Sequence, residues 1–262
     1  MKVIFKISII CLWLFACSEP QQAEAPPVVL EPVQNRVFKK SLAYIDKEGK
    51  THQYTLSLPE NYAEQGELPV VMYLHGSGGN ENSELSTSHY IDNLLTQCNG
   101  QYPLIVYPSD VNRLYIVDNN YHLGFGILEQ LAKDYSIADP SKRVIIGFSN
   151  GAAAASRTAI SNPGSYALSF AWSGWIWRKD TPLFEAVAQN AAQLNELGYR
   201  AVYITGDKDH PDAYDVLIPL LETHGINHEL TVLRKQKHDL GEYHRKTQSQ
   251  LKDELCQIFA AK

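Results

Sequence analysis

The sequence predicts an α/β fold: a doubly wound, mainly parallel sheet with helices on both faces and no large lid domain. Short continuous apolar runs are typical of strands that are covered on both faces. Between them lie longer stretches in which apolar residues recur at the helical period. The regular alternation of the two kinds of segment favours parallel strands joined by right-handed helical crossovers.

The strands are predicted in chain order from these apolar runs. The segment 69–74, Pro-Val-Val-Met-Tyr-Leu, is continuous and apolar and is predicted to be the first core strand. Two earlier strands are expected at 41–45 and 53–58. Later strands are predicted at 104–107, 144–148, 167–172, 201–205 and 229–234.

Helices are predicted between the strands. Within 125–135, one face of a helix carries Phe125, Leu128, Leu131 and Tyr135. Further helices are expected at 183–195, 213–224 and 242–260. In the segment 213–224, we expect Pro219 to kink the helix and Gly225 to end it. One helix fills most of the chain between the strands near 172 and 201, which leaves no room for a large lid.

The N-terminal segment predicts an exported protein. Lys2 and Lys6 precede a short apolar stretch that ends at Ala16, and residues 1–16 are too short for a spanning helix. A small residue before Cys17 resembles the lipobox of bacterial lipoproteins, which implies a lipid on Cys17 and anchoring to the bacterial cell envelope. An ordinary cleaved signal peptide is the alternative. Residues 17–35 are rich in Glu, Gln, Ala and Pro and are expected to form a flexible tether. The folded domain is placed at 36–262.

The net charge of the chain limits the classes of partner that it is expected to bind. The formal net charge is −6, and removal of the leader takes away two lysines and no acidic residue. An acidic domain argues against a nucleic-acid partner and against binding to anionic membranes through basic patches. We expect contact with the membrane through the N-terminal lipid only. The sequence does not indicate an oligomeric state.

A serine lies on a predicted strand-to-helix turn. The motif is Gly147-Phe148-Ser149-Asn150-Gly151, between the apolar run 144–146 and an alanine-rich run at 152–155. Such a turn holds the serine in a strained conformation and exposes its Oγ at the edge of the sheet. Because strand and helix nearly touch there, the flanking glycines avoid a clash. The motif predicts a nucleophile, and an ordinary turn is the alternative.

A glycine-rich segment follows the first core strand. It reads His75-Gly76-Ser77-Gly78-Gly79 and lies at the carboxyl edge of the sheet, where ligands bind in doubly wound folds. The backbone N–H of Ser77, together with that of Asn150, is predicted to form an oxyanion hole. A plain glycine-rich loop is the alternative.

An acidic residue is expected after a later strand. The segment 203–210 offers two aspartates beyond a buried run. Asp209 lies three residues past the glycine that ends the strand and is better placed than Asp207 to turn back over the sheet. Asp212 is a third and weaker candidate. We therefore predict Asp209 as the acid and keep Asp207 open.

A histidine that acts as the base is expected after the last strand. His238 follows that strand at the carboxyl edge, whereas His228 precedes it and lies at the opposite edge. His210 is adjacent to the predicted acid, and His224 falls at a helix end. We predict His238 and keep His244 as the alternative.

The order Ser149, Asp209, His238 is that of α/β-hydrolases. The segment from Gly126 to Gly151, the motif Leu-His-Gly-Ser-Gly-Gly and the turn Gly206-x-x-Asp209 resemble secreted esterases of the polyhydroxybutyrate-depolymerase-like and feruloyl-esterase-like groups. The resemblance covers about 70–262. It implies an α/β-hydrolase that cleaves carboxylic esters through an acyl-enzyme, with no cofactor and no metal.

Three tryptophans cluster just past the strand 167–172, namely Trp172, Trp175 and Trp177. They either line an acyl or aryl pocket or pack against the next helix, and the sequence does not decide between the two. With no large lid, short-chain, aryl or sugar esters are the expected substrates. A peptidase or thioesterase of the same fold, or a surface lipoprotein that only binds ligands, are the alternatives.

Two cysteines lie in the folded domain. Cys98 lies near the end of the helix after the first core strand, and Cys256 lies in the C-terminal helix. In a doubly wound hydrolase these helices share one face of the sheet, so a disulfide is plausible in an oxidising compartment. Two separate buried thiols are the alternative.

Overall fold

The computed structural model describes residues 35–77, 83–108, 123–174, 176 and 180–260. The strands are β1 (Arg36–Ile45), β2 (Thr51–Pro59), β3 (Val70–Leu74), β4 (Leu104–Pro108), β5 (Arg143–Phe148), β6 (Leu168–Trp172), β7 (Arg200–Gly206) and β8 (Asn227–Leu233). The α-helices are α1 (Ser83–Thr96), α2 (Leu123–Asp134), α3 (Asn150–Ser161), α4 (Thr181–Glu196), α5 (Leu217–Thr223) and α6 (Leu240–Phe259). Short 3-10 turns lie at Pro140–Lys142 and Pro211–Tyr214.

The described strands form one sheet in the order β1-β2-β4-β3-β5-β6-β7-β8. Six strands, β4, β3, β5, β6, β7 and β8, run parallel to one another. At one edge of the sheet, β1 pairs with β2 and β2 pairs with β4 in the antiparallel direction. The predicted α/β class with a mainly parallel sheet is therefore confirmed. The chain reverses its direction across the sheet at β3, which pairs with both β4 and β5. Such a switch point is where doubly wound sheets bind their ligands.

Two apolar layers cover the faces of the sheet. Along β3, Val70, Met72 and Leu74 face a layer that includes α2, α3, α4 and α5. The alternate residues Val71 and Tyr73 face a second layer made by α1 and α6. This alternation explains the unbroken apolar runs, since both faces of each central strand are buried.

The cysteine pair lies in the second layer. Cys98 follows α1 and Cys256 is in α6, and their Sγ atoms are 2.12 Å apart with the Cα atoms at 5.9 Å. The structure thus contains the disulfide that the sequence left open.

The leader lies outside the described residues, and so do Cys17 and almost all of the tether. In the part of the chain that the structure describes, no helix has the length and hydropathy of a membrane-spanning segment. Gly78, Gly79, Trp175 and Trp177 also lie outside the described residues.

Candidate active site

Ser149 lies at the switch point, on the turn between β5 and α3. Its backbone has φ 56° and ψ −121°, a region that a serine rarely adopts. The neighbouring glycines are required by close packing. A Cβ on Gly147 would lie 2.2 Å from the carbonyl oxygen of Gly151, and one on Gly151 would lie 2.0 Å from that of Leu74. The turn therefore holds Ser149 at the carboxyl edge of the sheet.

His238 lies opposite the serine, on the turn that follows β8. Its Nε2 is 3.0 Å from Ser149 Oγ. The imidazole packs against the ring of Phe148, with ring centroids 4.7 Å apart. The His238 side chain is 38% exposed, so a substrate can reach the imidazole from solvent.

Asp209 lies behind the histidine, on a tight turn after β7. The Asp209 N–H donates to the carbonyl of Gly206, and the hydroxyl of Thr205 donates to the carbonyl of Asp209. Both carboxylate oxygens are 3.0 Å from His238 Nδ1, and the Asp209 side chain is only 1% exposed. A Cβ on Gly206 would lie 2.2 Å from the carbonyl oxygen of Gln236, so this turn presses directly against the turn that carries His238.

The chemistry of the three groups determines the direction of the hydrogen bonds between them. A carboxylate accepts only, so the Nδ1 of a neutral His238 carries the proton and donates it toward Asp209. The Nε2 is then an acceptor for the hydroxyl of Ser149. This arrangement can draw the proton from the serine and stabilise the imidazolium that forms.

The alternative acids and bases lie elsewhere. The side chains of Asp207, Asp212 and His210 are exposed. His228 lies near the start of β8, at the opposite edge of the sheet. His244 is half-buried on α6, with its Nε2 out of contact with solvent, and its ring stacks on Tyr90 at 4.4 Å between centroids.

The two predicted oxyanion donors are neighbours. Asn150 is the first residue of α3, so its backbone N–H has no partner within the helix. The side-chain amide of Asn150 donates a hydrogen bond to Ser77 Oγ. A Cβ on Gly76 would lie 3.2 Å from Ser149 Cβ, which shows how closely the glycine-rich segment approaches the serine.

Trp172 requires a correction, because it does not line a pocket. It ends β6 and is 1% exposed. Its Nε1 donates to Thr247 Oγ1 at 2.9 Å, and its ring packs against Phe170 and His244 in the layer below α1 and α6. Although Trp172 is the last residue of the strand, its side chain points into the core and not over the sheet edge.

Two residues of the site were missed by the sequence analysis. The hydroxyls of Ser173 and Tyr243 both donate to Asp209 Oδ2, at 2.6 Å and 2.8 Å. Burial, followed by the bond to Asp209, raises the pKa of Tyr243 and keeps it a donor. A signal for Ser173 was present, because Ser-Gly follows β6 at the carboxyl edge. The sequence gives no such signal for Tyr243.

No protein-family model matches this chain, and no curated protein matches its sequence. Solved structures do match. A ferulic acid esterase is 18% identical with a TM-score of 0.69, over 86% of this chain and 99% of that one. The feruloyl esterase module from Clostridium thermocellum, solved with sinapinate, is 20% identical with a TM-score of 0.66, over 90% and 92%. The S-formylglutathione hydrolase from Staphylococcus aureus is 14% identical with a TM-score of 0.64, over 85% and 97%.

This chain has the α/β-hydrolase fold. At these identities the similarity establishes the fold, and the chemistry has to be inferred from the site itself. In this fold, the turns after β3, β5, β6, β7 and β8 converge at one edge of the sheet. They bring together Ser77, Ser149, Ser173, Asp209 and His238.

Proposed function

We propose that this α/β-hydrolase is a serine hydrolase that cleaves carboxylic esters. The supporting observation is the continuous contact from Ser149 Oγ through His238 to the Asp209 carboxylate, each step at 3.0 Å. Similarity to solved structures named as esterases supports the same reaction. Ser149 is the proposed nucleophile, His238 the base and Asp209 the acid.

The proposed reaction has two halves. In the first, His238 takes the proton of Ser149 as Oγ attacks the ester carbonyl carbon, and the oxyanion accepts from the N–H groups of Asn150 and Ser77. The intermediate then collapses, and His238 returns the proton to the departing alcohol. In the second half, His238 takes a proton from a water whose oxygen attacks the acyl carbonyl carbon. The bond to Ser149 Oγ then breaks, His238 returns the proton to Oγ, and the acid is released.

The substrate class is proposed as short-chain, aryl or sugar esters. The matched structures include esterases named for ferulic acid and one solved with sinapinate. Both compounds are aryl acids or their anions. A thioester is the second candidate, because an S-formylglutathione hydrolase shares the fold over nearly its whole length. A structure of prolyl endopeptidases also matches, but this chain spans 38% of its length, so a peptidase is less well supported.

The nucleophile is tested with a fluorophosphonate probe. We expect the wild-type domain to be labelled and Ser149→Ala not to be labelled, with ester hydrolysis reduced by about 10⁴-fold or more. Ser161→Ala, at the other end of α3, is the matched control and should be labelled like the wild type. Equal labelling of the wild type and Ser149→Ala, or labelling of neither, would reject the assignment.

The bond type is tested with matched substrates. p-Nitrophenyl esters from acetate to octanoate rank the acyl lengths, and a feruloyl ester, an acyl thioester and a peptide anilide are compared at equal concentration. We expect the highest kcat/KM for an ester. A rate that does not fall as the pH drops through the range in which histidine titrates would count against a histidine base.

We also propose that Cys17 carries a lipid that anchors the domain to the cell envelope. The support is the leader sequence alone, since these residues lie outside the described part of the chain. The full chain, expressed in a Gram-negative host, should incorporate labelled palmitate and fractionate with membranes, and Cys17→Ser should do neither. Palmitate incorporation by Cys17→Ser would contradict the proposal.

A further inference from the structure

We infer that Ser173 is a positioning residue of this site, which holds the acid and the base in register with each other. The inference rests on the proposed function, since it assigns a role within that catalytic group. Ser173 Oγ donates to Asp209 Oδ2 at 2.6 Å and lies 2.8 Å from His238 Nδ1. One hydroxyl therefore touches both partners of the His238–Asp209 hydrogen bond at their point of contact.

The hydrogen-bond roles at Ser173 follow from its single proton. Because that proton goes to Asp209, the oxygen lone pairs are left to face the Nδ1–H of His238. The Nδ1–H is then shared between the carboxylate and Ser173 Oγ, so the imidazole is held from two sides. This contact keeps the proton on Nδ1 and turns Nε2 toward Ser149 Oγ.

The backbone at Ser173 is built to aim the hydroxyl. Its φ is 51°, which is unfavourable for a residue with a Cβ, and its N–H is fixed by the carbonyl of Ile204 at 2.7 Å. The next N–H, of Gly174, donates to the hydroxyl of Tyr214 at 2.8 Å. Tyr214 lies on the 3-10 turn just after Asp209, so the Ser173 turn and the Asp209 turn are tied together.

Tyr243 provides the internal comparison. It donates to the same carboxylate oxygen at 2.8 Å, whereas the Ser173 hydroxyl also reaches the imidazole. Loss of the Ser173 hydroxyl leaves Asp209 with one hydroxyl donor but removes the second contact on His238. The expected effect is a misoriented base, which slows the chemical step and leaves substrate binding unchanged.

The test uses two variants that both remove the hydroxyl but differ in backbone strain at position 173. Ser173→Ala keeps the Cβ and the unfavourable φ, while Ser173→Gly removes the Cβ and relieves it. With a short p-nitrophenyl ester, we expect both to lower kcat by about 10- to 100-fold, with KM within about twofold of the wild type. Urea unfolding should show that Ser173→Gly is at least as stable as Ser173→Ala, so that the loss of kcat does not follow stability.

The outcomes separate this inference from the proposed function. If the wild type hydrolyses the ester and either variant keeps the wild-type kcat, the hydroxyl is not needed and the positioning role is rejected. A raised KM at unchanged kcat would instead make Ser173 a substrate contact and also reject it. If the wild type neither hydrolyses esters nor reacts with the fluorophosphonate, the proposed function fails, and this inference fails with it.

Discussion

The turn that carries Ser149 is enclosed by backbone, and this makes its glycines sensitive to any side chain. For Gly151→Ala, the added Cβ would lie 2.0 Å from the carbonyl oxygen of Leu74, so α3 would have to move away from β3. We expect a loss of about 1–3 kcal/mol or more in the free energy of unfolding, measured with urea, and reduced fluorophosphonate labelling.

The matched control for this variant is Gly241→Ala, in the first turn of α6. A Cβ on Gly241 would have Asp239 Oδ1 as its nearest neighbour, at 3.4 Å, which is an ordinary contact. Because alanine is the better helix former by about 1 kcal/mol, this variant should be neutral or stabilised. Equal stability of the two variants would show that the close approach at Gly151 can relax freely.

His244 makes the stability of the folded domain depend on pH. Burial lowers the pKa of His244 to about 4, and its ring lies between Tyr90 and Trp172. In the unfolded chain a histidine takes up a proton near pH 6.5. Between these two pH values the unfolded state binds more protons than the folded state, so the free energy of unfolding rises with pH. The contribution of His244 to stability is therefore present above about pH 6.5 and is lost as the pH falls to about 4.

The size of this effect is up to about 3 kcal/mol, and His244→Phe tests it because the variant keeps an aromatic ring in the stack and cannot titrate. Urea unfolding at pH 7, 6, 5 and 4 should show a flatter pH dependence for His244→Phe than for the wild type. Parallel slopes for the wild type and His244→Phe would contradict the prediction.

At the scale of elements, a buried ion pair fastens the antiparallel edge to the rest of the domain. Arg36, the first residue of β1, donates from Nε to Asp92 on α1 at 2.8 Å, and both side chains are fully buried. The same guanidinium donates to the carbonyls of Ser57 and Pro103 at 3.1 Å and 2.8 Å. The pair thus joins β1, β2, α1 and the segment before β4.

Asp92→Asn removes one charge of this pair and leaves Arg36 buried without a counter-ion. We expect a loss of about 3–5 kcal/mol in the free energy of unfolding, measured with urea at neutral pH. Glu242→Gln is the control, because Glu242 is partly exposed and lies 3.6 Å from Lys246 on α6. That variant should lose about 0.5 kcal/mol or less. A loss of similar size in both variants would mean that burial does not set the energy of the Arg36 pair.

The elements that the sequence predicted well are those with unbroken apolar runs. The predicted core strands agree with β3 to β8 within two residues at each end. At the edge, β1 begins at Arg36 and not at 41, because a register shift between Lys39 and Leu42 breaks the alternation on which the prediction depended. The predicted helix 213–224 is not one kinked helix. A 3-10 turn precedes α5. Pro219 lies in the first turn of α5, where a backbone N–H has no partner within the helix, so a proline there costs no helical hydrogen bond.

At the scale of the whole molecule, the motif around Ser149 and the rule that ligands bind at the carboxyl edge of the sheet together led to Ser149, Asp209 and His238, which the structure brings together. The same rule admits Ser173, which follows β6 at that edge, but no sequence pattern predicts the positive φ with which its hydroxyl reaches Asp209 and His238. Trp172 illustrates the opposite limit. A position at the end of a strand does not tell whether a side chain points over the edge or into the core.

The disulfide is the longest-range covalent constraint in the domain. It joins the end of α1 to α6 across 158 residues, and both helices belong to the same apolar layer. Closing so long a loop restricts the unfolded chain, which in the chain-entropy model stabilises the fold by about 5 kcal/mol. We therefore expect the double variant Cys98→Ala/Cys256→Ala to unfold at a clearly lower urea concentration than the oxidised wild type. Reductant should lower the midpoint of the wild type to near that of the double variant and leave the double variant unchanged. If the oxidised and reduced wild type unfolded at the same midpoint, the tie between α1 and α6 would have no part in the stability of the domain.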